Sequence, residues 1–383
     1  MNTIFGFNDE LMKEKKMFYT ATEIARQPES WKSIYKAIDR RREEIQHFMK
    51  VFDGQTRIIF TGAGSSGFIG DALAPIIRKD FAYSQVESIH TTDIVANPEQ
   101  YLVKDKKTLM VSFGRSGNSP ESVAALQLAE AYIEDVYHMI ITCNPKGKLA
   151  QIANERTLIL TFSEIEDLAF AMTSSVTGMM LAAYAAFGIK ADYSQMVERI
   201  AEMGTQMIQE QYQDIFQIMT PEINRLVVLG SANLYGAARE GALKSTELTA
   251  GQMATRYDTP MGFRHGPKSF LNEKTVILFA ASNNPYTRQY DLDMLRELSF
   301  SKKSKLVVIS EAYDAQIADL ADVYLYGAET AMLPEAFTAY MPILLAQIFS
   351  LQASLMMGCT PDNPFPTGEV NRVVQGVVIH PFQ

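Results

Sequence analysis

The feature that most restricts what this chain can fold into is a long internal repeat. RIIFTGAGSSG, starting at Arg57, returns as RLVVLGSANLYG at Arg225, 168 residues on. KTLMVSF at Lys107 returns as KTVILFA at Lys274 after 167 residues, and LAQIA around Gln151 returns as DAQIADLAD around Gln316 after 165. A helix expected around Ala169, Phe170 and Ala171 has its counterpart at Ala336, Phe337 and Thr338, again 167 residues on. Four matches in one order and nearly one spacing define two homologous halves, each with its own core. A chain of 383 residues accommodates two such domains and a further segment.

Within each half, short β-branched runs alternate with helical stretches. In the first half these are RIIFTG, a helix from about Ser66, VESIH, TLMVSFG, a helix from about Pro120, MIITCN and TLILTF. That rhythm belongs to βαβ units and a parallel sheet with helices on both faces. Before it, Thr20 to Val51 places Trp31, Ile34, Tyr35, Ile38, Ile45 and Phe48 at helical spacing, which predicts a helical lead-in. The amphipathic stretch Tyr193 to Met219 reads as a connecting helix. The predicted organisation is an N-terminal helical segment (1–50), a first α/β domain (51–205) and a second (206–383).

Charge and cysteine content exclude several function classes. A net charge of −9 offers no basic face for nucleic acid or anionic membrane, so neither is expected as a partner. Cys143 and Cys359 stand far apart with no Cys/His grouping, which predicts no disulfide and no metal site and suits a reducing, cytoplasmic setting. The first sixteen residues carry charges where a signal peptide needs an apolar core, and no later run reads as a membrane span.

Chemistry concentrates in two places. GAGSSG, Gly62 to Gly67, follows an apolar strand and opens a helix, so Gly64, Ser65 and Ser66 bring backbone N–H groups to an anion at the positive helix end. The same six residues spell GxGxxG, and Glu87 lies where a dinucleotide fold places its ribose ligand, so a nicotinamide-dependent oxidoreductase is one rival reading. Such a turn also occurs simply to let strand and helix pack closely. The next turn, GRSGNSPE from Gly114, tips the balance: Arg115 supplies a cation, Ser116 and Ser119 supply hydroxyls and Gly117 an amide, again where a strand meets a helix. Two such turns suit one phosphate monoester, although Ser119-Pro120-Glu121 is equally an ordinary helix cap. In the second half LFAASNNPY stands in place of the second turn, which leaves one phosphate site per chain.

The second place is Ala238 to Leu271. Glu240, Lys244 and Glu247 share one helix face, and for Glu240 with Lys244 an exposed ion pair is as good a reading as a functional one. Glu247 sits among Leu243, Leu248 and Met253, where a carboxylate needs a reason to be. His265 falls in RHGPKS between Gly262 and Pro267, a constrained loop suited to a proton-transfer group; His47, His90 and His138 lack such surroundings.

These residues resemble the sugar-isomerase (SIS) domains of phosphosugar isomerases. EGALKSTE and the later HGP are similar to the EGALK-x-x-E and HGP motifs of the isomerase half of glucosamine-6-phosphate synthase, whose glutaminase domain has no counterpart in this sequence. Through GAGSSGFIGDALAP, SFGRSGNSPES, RHGPKSF and DNPFPTGEVNRVVQGVVIHP the closest likeness is to the AgaS type, the galactosamine-6-phosphate deaminase/isomerases also called tagatose-6-phosphate ketose/aldose isomerases. The resemblance runs from about Arg57 to the C-terminus and implies two tandem SIS domains, each a parallel sheet flanked by helices. It implies that Ser66, Arg115, Ser116 and Ser119, with the amides of Gly64, Ser65 and Gly117, hold the phosphate. It also implies that Glu247 is the C2 base, with Lys244 beside it, that His265 assists ring opening, and that a homodimer shares its active sites.

Two positions depart from the family pattern. Gly114 stands where the first turn has a serine, leaving Arg115 to compensate, and Gln375 stands where the synthase has a sugar-contacting lysine, with Arg372 and His380 as candidate substitutes. The implied reaction needs a phosphorylated amino sugar and water and no cofactor. The other outcomes of the same resemblance are plain ketose/aldose isomerisation, glucosamine-6-phosphate deamination, and a sugar-phosphate sensor without catalysis.

Overall fold

The computed structural model describes residues 3–152, 154–330, 333–374 and 376–382. They form two compact units interleaved in sequence. The first comprises Glu29–Asp167, Ser174–Val197 and Thr367–Gln383, and the second Met1–Pro28, Leu168–Thr173 and Glu198–Pro366.

The N-terminal segment is helical: α1 (Asp9–Glu14), α2 (Phe18–Ala25), α3 (Gln27–Arg40) and α4 (Arg42–Met49). The first sheet then alternates strands with helices: β1 (Arg57–Thr61), α5 (Ser65–Asp80), β2 (Gln85–Ser88), α6 (Thr91–Ala96), α7 (Pro98–Tyr101), β3 (Thr108–Gly114), α8 (Pro120–Tyr132), β4 (Val136–Thr142) and β5 (Thr157–Thr161). All pairings are parallel in the order β2-β1-β3-β4-β5, with Thr61 beside Ser112 at the carboxyl ends of β1 and β3. Both sheet faces are covered, which is why all five residues of β1 are buried and its centre, Ile58, Ile59 and Phe60, is apolar on both sides. Ile59 and Met110 pack on one face with Ala125 and Ala129 of α8. On the other, Phe60 stacks on Phe113 and meets Phe187 of α9 (Ser174–Phe187). Every residue of α9 is buried, and Asp167 caps it by accepting from the backbone N–H groups and hydroxyls of Ser174 and Ser175.

The segment from Tyr193 to Met219 is helical as predicted, with a π turn at Met207–Gln211 between α10 (Ser194–Gln206) and α11 (Tyr212–Ile218). The second sheet carries β6 (Arg225–Gly230), α12 (Asn233–Leu248), β7 (Ala254–Asp258), α13 (Pro260–Phe263), β8 (Thr275–Ala280), α14 (Pro285–Ser301), β9 (Lys305–Ala312), α15 (Ala315–Ala318), β10 (Val323–Ala328) and α16 (Tyr340–Met356). Its order, β10-β9-β8-β6-β7, repeats that of the first sheet when β6 is matched to β1. The internal repeat therefore reports a shared topology, while the compact units do not follow the predicted ranges 51–205 and 206–383: Leu168–Thr173 and the chain from Glu198 belong to the second unit, and Thr367–Gln383 returns to the first.

Two sequence expectations need correction. Ala169 to Ala171 lie in a turn before α9, and their counterparts Ala336 and Phe337 lie in a single 3₁₀ turn; small apolar residues mimic a helical face where the chain is only entering one. Glu335–Met356 is, by length and composition, long and apolar enough to cross a membrane, against the reading that no run is. Its most apolar stretch is 83% buried within the protein, so the run belongs to the core. Its fit against α12 is close: a Cβ on Gly241 would lie 2.8 Å from the Cβ of Ala346, and Ser245 and Ser350 share a 2.6 Å hydrogen bond.

Candidate functional site

In a sheet ordered 2-1-3-4-5, ligands are met where the order reverses, between the first and third strands. Both hydroxyl-rich turns of the first unit lie there. At the end of β1, Gly64 takes φ +57° and ψ −129°, a conformation natural to glycine, and caps α5, which begins with the buried Ser65 and Ser66. Gly62 and Gly67 let this turn form: a Cβ on Gly62 would lie 2.6 Å from the Ser66 carbonyl carbon, and one on Gly67 2.8 Å from the His90 ring.

At the end of β3, Arg115 is 6% exposed and Gly117 takes φ +62°. This turn is braced from the β4 side by residues the sequence reading passed over. Thr142 Oγ1 donates to the Gly114 carbonyl at 2.6 Å, Asn144 Nδ2 to the Ser116 carbonyl at 3.0 Å, and Leu149 N–H to the Gly117 carbonyl at 3.0 Å. Ser116 Oγ accepts from the N–H of Asn118 at 3.2 Å, a bond that leaves its own hydrogen available. Ser119 stands at the N-cap position of α8 as expected, but its hydroxyl donates to the Glu121 carboxylate at 2.6 Å and caps no backbone N–H. The dinucleotide reading loses its ribose ligand, because Glu87 accepts from Arg57 Nε at 2.6 Å.

The second unit has the same backbone at the corresponding place and a different occupant. Ala232, at φ +53° and ψ −120°, caps α12 as Gly64 caps α5. Between β6 and β8, the carboxylate of Asp291, which is fully buried on α14, accepts from Ser231 Oγ at 3.2 Å and from the Ser282 N–H at 2.8 Å. Burial pushes this carboxyl up to about 6, against the pull of those two hydrogen bonds and of the Arg288 charge. The sequence predicts a lost cradle here, and the structure supplies the reason: an internal anion takes its donors.

The chemistry-bearing helix, α12, also belongs to the second unit. Lys244 is fully buried, its Nζ 3.4 Å from Glu240 Oε1 and donating to Glu247 Oε2. Glu240 is 1% exposed and the Glu247 side chain 25%. The reading of Glu240 with Lys244 as an exposed surface pair is therefore wrong: Gly241, Ala242 and Ser245 let the helix sink into the core and carry the charges with it. Glu247 is the member that still reaches solvent, and Lys244 fixes its carboxylate.

His265 lies in an exposed turn after α13. Its backbone N–H donates to the Gly262 carbonyl at 2.9 Å, and Gly266 follows at φ +123°. Glu297 of α14 pins the segment by accepting from Arg264 Nε at 2.9 Å and from Lys268, whose hydrogen bond and charge hold the Glu297 carboxyl below its usual range. Pairing between residues so far apart in sequence had no local signature.

Of the two candidate lysine substitutes, Arg372 donates to the Asp167 carbonyl and lies 3.5 Å from Glu166, within the first unit. His380 lines a cavity of about 610 Å³ with Val95, Glu99, Glu121 and Phe382. Gln375 lies outside the described residues. Among the described residues no three His, Cys, Asp or Glu side chains are grouped to hold a metal ion.

Comparison with known proteins places this arrangement. The SIS domain family model matches residues 52–189. The D-galactosamine-6-phosphate deaminase AgaS of a Shewanella species is 40% identical over 97% of this chain and 94% of that protein. The solved tagatose-6-phosphate ketose/aldose isomerase of Escherichia coli is 38% identical, with a TM-score of 0.87 over 95% of this chain and 97% of its own. A Clostridium novyi crystal structure is 39% identical and reaches a TM-score of 0.96 over 100% of both chains. The fold and its switch-point turns are those of a tandem SIS-domain protein. Within that class, the chain belongs to the AgaS family.

Proposed function

We propose that this protein is an amino-sugar-phosphate deaminase/isomerase that converts galactosamine 6-phosphate and water to tagatose 6-phosphate and ammonia. The observation that carries the reading is near-full-length identity of about 40% to proteins named for D-galactosamine-6-phosphate deamination. Retention of Glu247, Lys244 and His265 supports an enzyme over a sensor.

In this reading the turns at Gly64–Ser66 and Arg115–Ser119 take the phosphate and fix the sugar for reaction. His265 promotes opening to the free aldehyde. Glu247, held by Lys244, removes the C2 proton; the electron pair forms the C1–C2 double bond of an enolamine as the aldehyde oxygen becomes hydroxyl. Reprotonation at C1 gives a C2 imine, water adds to its carbon, and ammonia leaves as the C2 ketone forms. Every step is acid-base chemistry, in which a positioned group contributes on the order of 10²–10⁴. A homodimer with shared sites and a cytoplasmic setting belong to the same reading.

Ketose/aldose isomerisation is the second reading, favoured by the name of the Escherichia coli structure. It would use the same C2 proton transfer on a 2-hydroxy sugar and stop before water adds. Ammonia release should be measured from galactosamine 6-phosphate and glucosamine 6-phosphate, beside tagatose 6-phosphate isomerisation. Release from the galacto substrate supports the proposal. Isomerisation without ammonia from either substrate replaces it with the second reading.

A further inference from the structure

The C-terminal segment that joins the first unit carries one arginine with an unusual position. The guanidinium of Arg372 donates to the carbonyl of Asp167 and lies 3.5 Å from a carboxylate oxygen of Glu166. Asp167 is itself held in place, since its carboxylate accepts four bonds from Ser174 and Ser175 at the start of the buried α9. The side chain of Arg372 thus ties residue 372 to the residue that caps the fully buried α9. Its backbone carbonyl then accepts from Arg115 Nη2 at 3.0 Å. Arg115 follows β3, is 6% exposed, and is the only cation of the Gly114–Ser119 turn. An arginine in a turn has many rotamers, and fixing one of them in advance spares the ligand that ordering cost.

We propose that Arg372 is a positioning residue: anchored on Asp167 and Glu166, it presents its carbonyl to Arg115 and aims that guanidinium for phosphate. The inference rests on the phosphate-binding reading of Arg115. It assigns Arg372 a role through Arg115, in place of the sugar contact that the family lysine would make. Nothing in this role touches the reacting carbons, so its loss weakens ground state and transition state alike and appears in KM.

The test is a double-mutant cycle on the full chain with Arg115→Ala, Arg372→Ala and both together, with Arg372→Lys as a milder variant. Steady-state kinetics and the calorimetric Kd of inorganic phosphate are read alongside Tm. The expected result is KM and phosphate Kd raised roughly tenfold by Arg372→Ala, the scale of one charge-assisted hydrogen bond, with kcat within about twofold. Arg372→Lys should fall between, and the double variant should match Arg115→Ala alone. An unchanged KM in Arg372→Ala, or a full extra tenfold loss in the double variant, would overturn the positioning role while leaving Arg115 as a phosphate ligand. A Tm loss without a KM change would reduce Arg372 to a structural tie. If Arg115→Ala itself leaves phosphate affinity intact, the phosphate reading fails first and this inference falls with it.

Discussion

The two sheets share one strand order, but the turns at its reversal carry different residues. In the first unit the turns after β1 and β3 present Ser66, Arg115 and Ser116 at the reversal of strand order. In the second, Ser231 and Ser282 donate to Asp291 of their own unit. One helix position shows the contrast. Six residues after the proline that opens α8 stands Leu126, buried with Ile140 and Leu149; six after the proline that opens α14 stands Asp291. A fold with a ready-made anion site can either bind a ligand there or fill the place with a carboxylate of its own. Repeats that keep one topology therefore need not keep one function.

The strongest way to break this comparison is to remove two hydroxyls from the turns of each unit. Ser66→Ala with Ser116→Ala should raise KM for a sugar phosphate about 30- to 100-fold, two hydrogen bonds' worth. Ser231→Ala with Ser282→Ala, which removes the hydroxyl donor to Asp291 and the hydroxyl that accepts from the Asn284 N–H, should leave KM within about twofold and lower stability only, by about 1–2 kcal/mol. Equal KM effects from both pairs would mean that both switch points bind substrate. Steady-state kinetics on the two double variants decides it.

Next in size is the titration of Asp291. Its folded pKa, about 6, exceeds the ordinary carboxylate value, so between about pH 4 and pH 6 the folded chain binds more protons than the unfolded one. Stability from this group is therefore present at low pH and lost as pH rises through 6. Denaturation midpoints of wild type and Asp291→Asn, compared at pH 4.5 and pH 7, should show the wild type losing on the order of 2–3 kcal/mol relative to the variant. A pH-independent gap would mean that Asp291 does not titrate as a buried acid.

The smallest effect sharpens the comparison at the backbone. Gly64 and Ala232 share one positive-φ cap, so Gly64→Ala should cost about 1–2 kcal/mol while Ala232→Gly is neutral or gains up to about 1 kcal/mol. Thermal denaturation of the two variants reads the sign, and equal losses from both would refute the shared conformation.

Much of this architecture was legible in the sequence, because strand runs, helix periods and the repeat are local patterns. Gly62, Gly64 and Gly67 announced a tight strand-to-helix turn, and the structure supplies the close contacts at Gly62 and Gly67 and the positive φ at Gly64. What stayed hidden depends on tertiary burial. Glu240 and Lys244 spell the same i,i+4 pair whether exposed or buried, and only the close approach of α16 decides. Asp291 reads as one more acid in a polar helix until Ser231 and Ser282 are brought to it. Arg372 and Glu297 act on partners far away in sequence, so no window of residues contains their signal.

The central claim is that Glu247 moves the C2 proton of a phosphorylated amino sugar. Its most direct test is the reaction of galactosamine 6-phosphate in D₂O, followed by NMR for deuterium at C1 of tagatose 6-phosphate, with wild type and Glu247→Gln. Wild type should give deuterated product, and Glu247→Gln should bind substrate but form product about 10²–10⁴ times more slowly. Deuterated product from Glu247→Gln at close to the wild-type rate would contradict the account and move the base elsewhere.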